Sequence, residues 1–158
     1  NEIGFNPEMI LAGRRINDGM GKFIADTTIS EITKVGINPV GAKVAMFGLT
    51  FKENCPDLRN TKVIDIIENL KMYNCNVVVT DSFAIKDEAK DIYNVTLTKL
   101  DKIKDLDAII LAVGHDDYKK IKVTDWEKIL NKNCVFIDIK SIYSIDYFMD
   151  TTINHWRL

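Results

Sequence analysis

Cysteine and histidine are scarce in this sequence, and their placement excludes several chemistries. Cys55, Cys75 and Cys134 are the three cysteines. The count is odd and no CxxC spacing occurs, which argues against a disulfide framework and against a zinc site. The two histidines are His115 and His155. Neither lies near Cys55 in sequence, so a Cys–His nucleophilic pair has little support. No apolar run approaches the ~18 residues needed to span a membrane, and the first residues do not have a signal-peptide layout. An excess of either charge is missing too, with 21 Lys and Arg against 23 Asp and Glu. That balance gives no basic footprint for nucleic acid. The chain is also without internal repeats and low-complexity tracts. These absences leave a soluble, cytoplasmic protein with no nucleic-acid or membrane partner as the expectation.

What is present is enough apolar sequence for one full core, 46% of 158 residues. Asn6, Pro7 and Glu8 form a helix start: a capping side chain, proline in the first turn and an acid behind it. Apolar residues at Met9, Ile16, Met20, Phe23, Ile24, Ile29, Ile32 and Val35 then predict one long amphipathic helix, stopped at 36–39 by Gly36 and Pro39. Gly13, Gly19 and Gly21 inside it each cost about 1 kcal/mol relative to alanine. Close approach of another helix or of a ligand would compensate for them; a break at 19–21 is the alternative. So long a helix has few partners inside the chain and is expected to serve dimerisation or domain contact. Arg14 and Arg15 project from it, and Arg14 can pair with Asp18 at i, i+4.

After Pro39 the pattern alternates. Short apolar runs at 43–47, 76–80, 95–97 (weak), 108–113 and 135–139 predict strands, and helical spacing falls at 62–73, 85–92, 100–104 and 125–130. Strands separated by helices imply a parallel sheet covered on both faces. The fold class expected is α/β, a Rossmann-like doubly wound parallel sheet preceded by a long dimerisation helix. Its divisions are 1–37 and 38–158. The tail after 145 is expected to pack back onto the domain.

The junction at 48–61 is the stretch that carries chemistry. It runs from a strand end through a polar loop to a helix start that Asn60 or Thr61 would cap. Free backbone N–H groups at such a corner bind anions. Lys52 and Arg59 would present two positive charges to one anionic pocket; an ordinary solvated connection is the other reading. Gly48 stands alone, without a GxGxxG dinucleotide fingerprint. Asp81, at the end of the second strand, is either a ribose contact or a turn residue. His115 lacks an identifiable partner and reads as a loop residue.

The residues 48–67, GLTFKENCPDLRNTKVIDII, are more specific than their spacing. They resemble the opening strand and loop of the UDP-binding domain of the UDP-glucose/GDP-mannose dehydrogenase family. Within it they are most similar to the branch that oxidises UDP-N-acetylhexosamines for surface polysaccharides. The segment AGRRINDGM resembles the family's central dimerisation helix, and the likeness extends to the final NHWRL. The resemblance implies an NAD-dependent 6-dehydrogenase whose NAD domain and catalytic cysteine lie upstream. This chain is then expected to be the UDP-sugar-binding and dimerising part, inactive alone, with Cys55 not the nucleophile. By position, Phe51 and Lys52 match the Phe-Lys pair that contacts the UDP-sugar. Lys140 falls near a substrate-binding arginine position. Arg59 matches an arginine that reaches the NAD cofactor. Arg14, in preference to Arg15, matches the arginine that crosses a homodimer interface to the neighbouring subunit's substrate.

Overall fold

The computed structural model describes residues 8–158. The expected helix start at Asn6 and Pro7 lies outside those residues. Helix α1, Glu8–Lys34, is continuous through 19–21, so the break does not occur. It closes at Gly36, whose φ of +83° lets the Ile37 N–H reach the Ile32 carbonyl at 2.9 Å. The apolar stripe is divided along its length. Ile24, Ala25 and Ile32 are fully buried, whereas Ile10, Ile16 and Phe23 are exposed. The second half of α1 therefore has partners inside the chain, chiefly helix α2, Val63–Met72.

Gly21 shows why the two helices come so close. A Cβ there would overlap the Asp65 side chain and stand 3.2 Å from its carbonyl carbon and 3.3 Å from the Ile66 nitrogen. A close helix approach thus accounts for this glycine. At Gly13 and Gly19 an added Cβ would meet nothing within 4 Å, so no contact within the described residues explains them.

Five parallel strands form the sheet. They are β1, Lys43–Phe47; β2, Asn76–Thr80; β3, Leu106–Leu111; β4, Leu130–Asp138; and β5, Asn154–Arg157, in the order β2-β1-β3-β4-β5. The connections carry α2, helix α3 at Lys86–Tyr93, a 3-10 turn at Leu100–Lys102, and helices α4, Asp116–Lys119, and α5, Val123–Ile129. Four of the expected strands are present, β1 and β2 at the expected residues, β3 two residues earlier, and β4 beginning five residues earlier, at Leu130. The weak 95–97 strand reduces to a single bridge between Val79 and Leu97, and the 100–104 helix to the 3-10 turn. The tail does more than pack back: it adds β5 beside β4, with Asp138 opposite Arg157.

Alternation along β1 sends side chains to both faces, as a sheet covered on each side requires. Val44 and Met46 point toward α1 and α2, where Ile24, Ile32, Ile67 and Leu70 close the core. On that same side Trp156 packs near the Phe23 ring, at a centroid distance of 6.4 Å. Ala45 and Phe47 point to the opposite face, which is aromatic: Trp126, Phe136, Tyr143 and Phe148. Trp126 is completely buried, edge-on to Phe47 and Phe136, and its indole N–H donates to the Tyr143 hydroxyl at 3.1 Å. Such satisfied aromatic burial is worth about 3–5 kcal/mol against truncation to alanine.

Candidate binding cleft

Parallel register brings the strand ends into one line. Phe47 stands beside both Thr80 and Leu111, and Leu111 beside Asp138. The chain leaves β1 for β2 on one side and returns to β3 on the other, so the carboxyl ends of β1 and β3 flank a topological switch point. Open α/β sheets bind ligands in that crevice. Here it holds a cleft of about 390 Å³. Thr50 and Phe51 after β1, Val113 after β3, and Lys140 after β4 form its sheet side; Asn17 and Gly21 of α1 and Thr61 to Val63 at the start of α2 form the other.

Gly48, with φ +95°, makes the turn out of β1 possible. A Cβ there would come within 2.8 Å of the Val113 backbone nitrogen, so the loops after β1 and β3 touch through a glycine. At the start of α2 the Thr61 hydroxyl accepts the Val63 N–H at 3.3 Å, while Asn60 sits in a left-handed turn, φ +59°, and makes no cap bond.

The cations are arranged differently from the sequence expectation. Lys52 and Arg59 do not share the cleft. Arg59 folds back on Asp57, donating from Nε at 2.9 Å and from its terminal nitrogen at 2.8 Å, with its side chain 80% exposed. That fork, with the Arg59 backbone N–H, holds the Asp57 carboxyl at about 2. The Lys52 ammonium lies over the Phe51 ring, 5.5 Å from its centre, and is not itself part of the cleft lining. The two ammonium groups at the cleft are Lys140, which was expected, and Lys62, which was not. Lys62 donates to Asp18 of α1 at 2.9 Å, so Asp18 bridges the two helices. That contact takes the place of the expected Arg14–Asp18 pair. Arg14 and Arg15 are exposed on α1, and neither lines the cleft.

Lys140 is 3.3 Å from Glu53, whose carboxyl is lowered by its own backbone N–H and by the lysine charge. Both cationic contacts are about half-exposed, so they contribute little and can be exchanged for a ligand's anion. Lys62 carried one usable signal in the sequence, its place at the first residues of a helix that follows a strand-end loop.

Asp81 is not available to a ribose. Its side chain is fully buried, and its oxygens accept the N–H groups of Leu49 at 2.6 Å, Thr50 at 3.0 Å, Phe83 at 2.7 Å and Ala84 at 2.8 Å. Burial alone would raise this carboxyl, but the His115 hydrogen bond and those N–H groups hold it well below the usual carboxylate range. His115 is the partner that the sequence did not reveal, with Nε2 3.2 Å from Asp81 Oδ2. It lies in the loop before α4, as expected, but it is buried there, with an exposure of 0%. Cys55 is half-buried in the 50–58 loop, and among the described residues no group of three metal-binding side chains gathers.

Comparison with known proteins places this geometry. The model of the UDP-glucose/GDP-mannose dehydrogenase family, UDP binding domain, matches residues 45–145. Protein CapL of Staphylococcus aureus is 47% identical over 157 residues, covering 99% of this chain and 37% of that protein. The UDP-N-acetyl-D-glucosamine 6-dehydrogenase of Pseudomonas aeruginosa is 42% identical over 144 residues, 91% of this chain and 34% of that protein. The chain thus spans about a third of the length of the curated relatives it matches. Among solved structures, the NDP-N-acetyl-D-galactosaminuronic acid dehydrogenase of Methanosarcina mazei Go1 superposes with a TM-score of 0.85. The identity is 24%, over 98% of this chain and 32% of that one, which speaks for the fold.

Proposed function

The chain belongs to the UDP-glucose/GDP-mannose dehydrogenase family, and from that membership we propose that its cleft holds the diphosphate end of a UDP-sugar. The observation that carries the reading is the pair of exchangeable ammonium groups, Lys62 and Lys140, set at a strand-end crevice beside a helix N-terminus. Phe51, 50% exposed, supplies an apolar wall, and Lys52 over its ring adds charge without a fixed ion-pair partner in the cleft. A lysine acts there as a point charge on a phosphate or a polar sugar group.

The larger protein is proposed to be an NAD-dependent 6-dehydrogenase acting on a UDP-N-acetylhexosamine, with residues 38–158 as its UDP-sugar-binding domain. NAD does not fit this domain's own sheet. A single glycine follows β1, and the acid at the end of β2 is consumed by backbone N–H groups and His115. Arg59, exposed and tied only to Asp57, is the one residue here assigned to cofactor contact. Residues 1–37 are assigned to homodimer formation. Ile10 and Ile16 are each 68% exposed on α1, and Gly13 and Gly19 leave room for a close neighbour. Arg14 on this helix would then reach the ligand of the adjacent subunit. The three free thiols agree with a reducing, cytoplasmic location.

The test is an NMR titration of the chain with millimolar UDP, with uridine and pyrophosphate as controls. UDP should shift the amides of residues 50–53, 61–63 and 140 more than either control does. Lys62→Ala with Lys140→Ala should weaken the response strongly. Shifts confined to other parts of the sheet, or none, would refute the assignment.

A further inference from the structure

The loop that walls the cleft, residues 50–58, contains no regular structure. Within it Phe51 donates its N–H to the Asp57 carbonyl at 2.8 Å, which closes the loop on itself. The loop is tied to the body of the domain at its start by the Thr50 N–H on Asp81, at its end by the buried Leu58, whose carbonyl accepts from the Tyr93 hydroxyl, and at its middle by the ring of His115, which does not line the cleft. That ring is fully buried, stacked on Phe83 at a centroid distance of 4.8 Å and edge-on to Tyr118 at 5.3 Å.

The hydrogen bonds around the ring fix its tautomer. Nδ1 is 2.9 Å from the backbone nitrogen of Asn54, which can only donate, so Nδ1 accepts. The ring proton therefore sits on Nε2. That nitrogen is 3.2 Å from Asp81 Oδ2 and 3.2 Å from Thr50 Oγ1. The Thr50 hydroxyl spends its own proton on the Lys52 carbonyl at 3.1 Å, which leaves its oxygen free to accept. The Asp81 carboxylate only accepts. Every atom is satisfied in the neutral Nε2–H form, and a proton on Nδ1 would face the Asn54 N–H.

We propose that His115 is a positioning residue for the ligand loop. Asp81 fixes the ring as a donor at Nε2, and the ring then presents Nδ1 to Asn54 and sets the 51–53 segment against the cleft. Asn54 is locked further by its side chain, which exchanges hydrogen bonds with Asp116 at 2.9 and 3.0 Å. The inference deepens the proposed UDP site and rests on that reading. Its two arms have different consequences. The Nδ1 arm holds the middle of the loop through Asn54, and the Nε2 arm acts on the strand ends through Asp81 and on the first residue of the loop through Thr50.

Two variants separate the arms. In His115→Asn the amide oxygen occupies the Nδ1 position and keeps the Asn54 bond while the Asp81 and Thr50 side-chain contacts are lost, Thr50 staying anchored by its own N–H on Asp81. In His115→Gln the amide reaches the Nε2 position, keeps Asp81 and leaves the Asn54 N–H without an acceptor. Loss of one buried hydrogen bond should weaken UDP binding by His115→Gln about five- to tenfold, whereas His115→Asn should stay within about twofold of wild type and melt lower. Amide exchange supplies a readout that needs no ligand. The Asn54 N–H should lose protection in His115→Gln and keep it in His115→Asn.

Equal affinity of His115→Gln and wild type would overturn the proposal, as would an equal loss in both variants. If wild type gives no UDP response, the cleft assignment fails, and Asn54 exchange in the two variants still decides the positioning role. Should His115→Gln not fold, the ring nitrogens of the wild-type chain decide. An unprotonated, hydrogen-bonded Nδ1 in the ¹⁵N spectrum supports the proposal and a protonated Nδ1 overturns it.

Discussion

Replacing Gly21 by alanine sets two known magnitudes against each other. In an exposed helix the change would stabilise by about 1 kcal/mol, because alanine loses less backbone freedom. At Gly21 the new carbon overlaps the Asp65 side chain and stands 3.2 Å from its carbonyl carbon and 3.3 Å from the Ile66 nitrogen. Two of these three obstacles are backbone, which cannot rotate away, so α1 must move off α2. Overpacking of this kind costs about 1–3 kcal/mol, and a backbone obstacle belongs in the upper half of that range. The net expectation is a loss of about 1–2 kcal/mol, or about 2–8 °C in melting temperature at this chain length. At concentrations where the chain is monomeric, Gly19→Ala is the internal control, since nothing among the described residues lies within 4 Å of its new carbon. It should hold or raise the melting temperature. Urea and thermal unfolding of both variants test the reasoning, and a Gly21→Ala chain as stable as Gly19→Ala would refute it. Gly21 also lines the cleft, so the same displacement should weaken the UDP response of the Lys62 amide.

Three further outcomes are expected. In a ¹³C titration the Asp57 carboxyl should titrate at about 2; Arg59→Gln should return it toward the ordinary value of ~3.9, and no movement would break the assigned fork. The Asp81 carboxyl is held low in the folded chain. Its stabilisation is therefore complete above the unfolded value of ~3.9 and is lost as pH falls toward the folded one. Asp81→Asn should melt lower at pH 7 and show a flatter acid branch below about pH 4 than wild type; parallel curves would contradict this. Burial pushes the Cys134 thiol up to about 11 and raises Cys75, whereas Cys55 lies in a half-exposed loop. Mass spectrometry after brief iodoacetamide treatment should find Cys55 labelled first, and early labelling of Cys134 would count against its burial.

The strands β1 and β3 and the second half of β4 were legible as apolar runs buried on both faces, and β2 as a run of three valines; the first half of β4, Leu130–Asn133, is polar and mostly exposed and was not. Nor was β5. It is an edge strand of four residues, Asn154–Arg157, with one neighbour and polar residues at both ends, so neither alternation nor an apolar run marks it. The long helix was legible from its stripe, but the stripe does not say which part meets this chain: Ile24 is buried and Ile16 is exposed. At the cleft, Phe51 and Lys140 were placed by the family resemblance. Lys62 could have been placed from its position at the start of the helix after the 50–58 loop, whereas the His115–Asp81 pair could not, since it joins residues 34 positions apart. Arg59 shows the opposite case. Its salt bridge to Asp57 is local, two residues away, and a loop containing both charges could have been read as self-paired.

The two tryptophans of the chain stand on opposite sides of one sheet. Trp126 is sealed among aromatic rings, while Trp156 rests beside Phe23 on α1. They make the molecule its own two-channel reporter. A dissolved quencher such as acrylamide should dim Trp156 and spare Trp126, and a chain whose α1 peels off while the sheet survives should change colour in one channel only. Single Trp→Phe versions would assign each signal, so detachment of the helix and melting of the sheet could be timed as separate events in one cuvette.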